Sequence, residues 1–163
     1  MENLASYLND HLAGSVAALE LLDRLIKTYA KDPFGPFFRD LRDEIASDQD
    51  KLKQLIDALD AQESLTRKVG AWFAEKLSRA KIQLDDSTEG EMGLFLALEA
   101  LFLGVTGKIA LWNALASVRD EIPALSTLDY AELENCALAQ RQRIENKRLE
   151  IARQALSQRT AIT

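Results

Sequence analysis

The sequence predicts an all-α protein: a bundle of four long helices, with one shorter helix between the second and third long ones. Three observations carry this expectation. Apolar residues recur at steps of three and four through most of the chain, and no segment alternates apolar and polar residues like a half-buried strand. The 3 prolines of the 163 residues fall at just two junctions, Asp32-Pro33-Phe34-Gly35-Pro36 and Ile122-Pro123. Helix-start signals follow these breaks or open other apolar runs, at Ser64, at Thr88-Glu89-Gly90-Glu91 and at Ser126-Thr127-Leu128-Asp129.

Taken in order, the first helix runs from about Asn3 to Ala30, with Leu4, Leu8, His11, Ser15, Ala18, Leu22, Leu25 and Tyr29 on one stripe. Leu12, Leu19 and Ile26 widen that stripe. Pro36 suits the first turn of a second helix lasting to about Ala61, with Phe37, Phe38, Leu41, Ile45, Leu52, Leu55, Ile56 and Leu59 inward. Ser64 caps a shorter third helix carrying Leu65, Val69, Trp72, Phe73, Leu77, Ala80 and Leu84. The fourth runs from the Thr88 capping box to about Arg119, and the fifth from the Asp129 region to about Ser157. Short loops after the first and fourth helices make two antiparallel hairpins, and the link between the hairpins is long enough to cross the bundle from end to end. A five-helix array with the third helix as an equal member is the alternative.

Composition places residues 1–163 in one helical-bundle domain, long enough to bury a core. A net charge of −6 argues against a general nucleic-acid binder. The one cysteine, Cys136, has no intramolecular partner and fits a reducing compartment. Met1 to Asp10 carries Glu2 and Asp10 and lacks the basic opening of a secretory leader, so the expected location is cytoplasmic. Gly93 to Val118 is apolar enough to raise a membrane span, but Glu99 and Lys108 would lie inside it at about 2.5–3.5 kcal/mol each, so no membrane partner is expected. The second helix is acidic and the late fifth helix basic, from Arg141 to Arg159. That asymmetry would favour their pairing or a homo-oligomer, or simply mark solvated faces.

Two apolar stretches are each interrupted by one carboxylate, Glu20 within Ala17 to Leu22 and Glu99 within Leu96 to Leu101. Such a charge is costly to bury unless it is paired or metal-bound. Reflecting Glu20 about the first turn brings it near Ser47, a turn from Glu44, and Glu99 counts to a similar depth. Reflecting Glu99 about the second turn reaches Glu145 to Arg148. Four helices therefore each bring a carboxylate to one level.

This pattern resembles the ferritin-like di-metal carboxylate proteins, the rubrerythrin and ferritin superfamily. These use one Glu from each of two helices and a Glu-x-x-His from each of the other two. The resemblance implies a ferritin-like bundle with a helical crossover between the second and third long helices. Glu20 and Glu99 match the single glutamates. Glu44-Ile45-Ala46-Ser47 and Glu145-Asn146-Lys147-Arg148 fall where the Glu-x-x-His motifs would be, with Ser47 and Arg148 in place of histidine. Arginine repels a metal and pairs well with carboxylate. The expected protein is thus a non-catalytic structural or interaction module without a cofactor. The alternative is a protein binding two iron or manganese ions through Glu20, Glu44, Glu99 and Glu145, with Asp48 or His11 assisting. By helical phase Glu20 points away from its apolar stripe and Glu99 lies off the centre of its own, which would take both to solvent or to a subunit interface.

Three further polar residues are core candidates. His11, the only histidine, lies on the inward stripe and Asp48 on the core side of the second helix, although counting along the helices separates them by about 12 Å. Arg148, with Glu134, Arg141 and Glu145, would form an ion-pair ladder that neutralises Glu99 or Glu44 without metal, or else a set of outward i, i+4 pairs. Gly104 and Gly107, with Gly93, would allow a neighbouring helix to approach closely. A greasy ligand between helices is a further reading, which requires an apolar cavity.

Overall fold

A computed structural model describes residues 2–62 and 90–157. They form four helices: α1 (Glu2–Thr28), α2 (Gly35–Gln62), α3 (Gly90–Val118) and α4 (Tyr130–Leu156). A single 3-10 segment, Pro123–Thr127, lies between α3 and α4, and there is no strand among the described residues. The all-α four-helix class is as expected. The short helix expected over Ser64 to Leu84 lies outside the described residues, as do Thr88 and Glu89 of the capping box.

The turn between α1 and α2 is built from its own backbone. Asp32 N–H donates to the Tyr29 carbonyl and Gly35 N–H to the Asp32 carbonyl, while the Asp32 carboxylate accepts from Phe34 N–H at 3.0 Å. Glycine at position 35 allows a close approach, since a Cβ there would stand 3.0 Å from the Tyr29 carbonyl oxygen. Around this turn Tyr29, Phe34 and Phe37 close over the buried Phe38 ring. At the other hairpin Asp129 caps α4, its Oδ1 accepting from Glu132 N–H at 3.1 Å. Ser126 and Thr127, expected to share that cap, instead bond back within the 3-10 segment.

Side-chain pairs fix the register. Arg42–Asp23 and Gln49–Ser15 align α2 antiparallel to α1. Asn113–Glu134 and Glu99–Arg148 align α4 antiparallel to α3. Glu44–Arg143 and Asp48–Gln140 do the same for α2 and α4. Tyr29 Oη donates to the Gly90 carbonyl at 3.5 Å, so α3 starts beside the end of α1 and runs antiparallel to it. Hence α2 and α3 run in the same direction. The core is one continuous apolar cluster with members from all four helices, including Leu22, Leu41, Leu98, Trp112 and Ile144.

Candidate functional site

The carboxylates singled out by the sequence meet arginine. Arg148 Nε and Nη2 donate to the two oxygens of Glu145 at 2.7 and 2.9 Å, and Nη1 reaches Glu99 Oε2 at 3.4 Å. The Arg148 guanidinium also lies over both the Phe95 and Phe102 rings, 5.7 Å from each centroid. These hydrogen bonds hold the Glu145 carboxyl below its ordinary pKa. Glu44 pairs with Arg143 rather than joining Glu145. Glu99 is 43% exposed at its side chain and Glu20 is half-buried, so neither is a charge sealed in the core. Among the described residues no three His, Cys, Asp or Glu side chains are grouped to hold a metal ion. The arrangement suits guanidinium–carboxylate pairing and does not fit a di-metal ligand set.

The buried charges lie elsewhere. Asp48 of α2 and Lys108 of α3 retain only 8% and 14% side-chain exposure, and Lys108 Nζ sits 2.6 Å from Asp48 Oδ2. Gln140 of α4 ties them together: its Oε1 accepts from Lys108 and its Nε2 donates to Asp48 Oδ2 at 3.3 Å. Lys51 approaches Asp48 Oδ1 from the rim at 3.5 Å. Burial pushes the Lys108 ammonium below its ordinary pKa, and the Asp48 charge opposes that shift. Asp48 is thus buried, and its partner is Lys108 rather than His11. The signal for Lys108 was present: it is the cation that ends the uncharged run after Glu99.

His11 takes a different role. Its ring meets Tyr7 edge-on at 4.7 Å between centroids, and burial lowers its pKa. His11, Asp48 and Lys108 all line one cavity of about 250 Å³ between α1, α2 and α3. Its walls are otherwise mainly apolar, among them Ile45, Leu52, Leu101 and Val105. Gly14, Gly104 and Gly107 also line it, and a Cβ on any of them would meet nothing within 4 Å. Gly104 and Gly107 therefore border open space, which corrects the expectation that these two serve close helix approach.

At this site Asp48 and Lys108 pair with each other, Ser15 Oγ donates to the Leu12 carbonyl and accepts from Gln49, and the exposed Asp10 also lines the cavity. Compared with known proteins, the chain matches no family model, no curated protein and no solved structure.

Proposed function

We propose that this chain is a non-catalytic bundle of the ferritin-like type, acting as a structural or interaction module that assembles with copies of itself. The observation that carries the reading is the outer face of α3. Apolar residues lie on every side of this helix, and Met92, Leu96 and Leu103 remain exposed, Leu103 by 62%. Leu149 and Leu156 add exposed apolar surface towards the end of α4, beside the start of α3. A helix apolar all round is favoured where both of its sides are covered, and a second copy of the same face supplies such a cover. By length and hydropathy α3 also meets the criterion for a membrane span, as core helices of soluble bundles do.

The common direction of α2 and α3 supports the ferritin-like part of the reading, since a connection between them joins opposite ends of the bundle, as a crossover does. Pairing of Glu44, Glu99 and Glu145 with arginine supports a bundle that works without a metal cofactor. The lone, exposed Cys136 is compatible with a reducing cytoplasm.

Light scattering over a concentration series tests the assembly. The unmodified chain is expected to show a mass that is a multiple of one chain. The variant Leu96→Lys with Leu103→Lys is expected to fall to a single chain with its helical content kept. A single-chain mass at every concentration for the unmodified protein would refute the reading.

A further inference from the structure

The inward seams of α2, α3 and α4 each carry one polar residue, and the three polar residues meet at one level. In α2 the inward positions from Phe38 to Leu59 follow steps of three and four, and Asp48 is the one that is not apolar. Lys108 holds the same place in the run from Leu94 to Leu115, and Gln140 in the run from Tyr130 to Ile144. Seam positions recur at every turn. Apolar packing alone therefore tolerates sliding one part of the bundle past another by a turn, about 5.4 Å, with loss of a layer at each end.

The parts that could slide are the two hairpins. Within each, a short connection sets the level: the turn at Asp32 to Gly35 between α1 and α2, and Pro123–Thr127 between α3 and α4. Residues 63–89 separate α2 from α3, a stretch too long to act as a tight turn. Surface ties between the hairpins are weak ones. The side chains of Glu44 and Arg143 are 39% and 41% exposed, and Tyr29 meets the Gly90 carbonyl at 3.5 Å.

The buried tie is Asp48 of the first hairpin with Lys108 and Gln140 of the second. A slide of one turn keeps Lys108 beside Gln140, because both belong to the second hairpin. It draws Asp48 away from both, and sets it against Val105 and Ile144 or, in the other direction, Trp112 and Ala137. Lys51 lies on the same helix as Asp48, so its contact does not distinguish these positions. Breaking a charge pair inside the bundle is costly, whereas an apolar layer would accept every one of these neighbours.

We infer that Asp48, Lys108 and Gln140 are the key that sets the level of one hairpin against the other, holding the chain in one arrangement at a cost in stability. The inference concerns a single chain and stands whether or not that chain self-associates.

Spin labels on the two hairpins read the level. They are attached through Asp57→Cys on α2 and Glu150→Cys on α4, both exposed, with Cys136→Ala removing the native thiol. Dilution with unlabelled chain leaves distances within one molecule. With the polar layer intact, double electron–electron resonance is expected to give one narrow distance. Asp48→Leu with Lys108→Met and Gln140→Leu is expected to keep its helical content by circular dichroism, and to add or move to a distance about 5 Å from the first. Glu44→Ala with Arg143→Ala, which removes the surface tie, should leave the single distance unchanged. Two distances with the layer intact, one unchanged distance without it, loss of helical content in the apolar-layer variant, or a second distance in the surface variant would each overturn the inference.

Discussion

Asp48 and Lys108 carry opposite charges into the interior of the bundle, each depending on the other and on Gln140. Removing one member leaves a buried charge without its counter-ion, so Asp48→Ala is expected to cost about 3–5 kcal/mol in urea unfolding. The triple replacement Asp48→Leu, Lys108→Met and Gln140→Leu should recover most of that loss, because an apolar set of similar volume needs no desolvation and leaves no buried amide without a partner. By contrast, the Arg148 pairs with Glu99 and Glu145 are partly hydrated, and such pairs contribute only about 0–1 kcal/mol each. His11 makes a second residue-level prediction. Its pKa in the folded chain lies below the ordinary 6.5, chiefly through burial and against the pull of Asp10. Between those two values the unfolded chain binds a proton that the folded chain does not, so stability falls as pH drops through that window. His11→Phe should flatten this part of the urea-midpoint profile below about pH 7. At this scale the sequence was only half legible. A lone charge in an apolar run marks a site only when its helix turns it inward, and Lys108 passes that condition while Glu99 does not. The pairing of Lys108 with Asp48 depends on the rotation of two helices 60 positions apart, which no local pattern encodes.

Helix existence was easier to read, because periodicity, proline and capping act within a few residues of chain. The turn at Asp32 to Gly35 and the Asp129 cap stand where their residue types point. Glycine was harder, since the same residue serves a tight contact at Gly35 and a vacancy at Gly104. Only the neighbouring helix decides which. In α1 and α3 this leaves mid-helix glycines with room beside them. Gly14→Ala and Gly104→Ala are therefore each expected to raise stability by about 0.5–1 kcal/mol, measured by thermal unfolding, through lower backbone entropy in the unfolded chain. Gly35→Ala should do the reverse, as its Cβ would press on the Tyr29 carbonyl.

Across the whole molecule, reflection about the two turns foresaw which levels of α3 and α4 meet, and Glu99 does reach Arg148. It also placed Glu44 at a charged level, where the partner proved to be Arg143. The depth count kept His11 and Asp48 apart, and Asp48 does pair with Lys108 and Gln140 instead, although His11 and Asp48 border the same cavity. That cavity also has a mechanical consequence. Its apolar walls hold water poorly, and whatever part of the space stays dry in the folded chain is surrendered on unfolding, so the unfolded state occupies less volume. Hydrostatic pressure should therefore unfold this protein more readily than a tightly packed bundle of its size. Gly104→Leu, by occupying about 250 Å³ of space in part, should raise the midpoint pressure even where its midpoint temperature barely moves. The gap at Gly14, Gly104 and Gly107 makes the contact of α1 with α3 a compressible seam between the described helices.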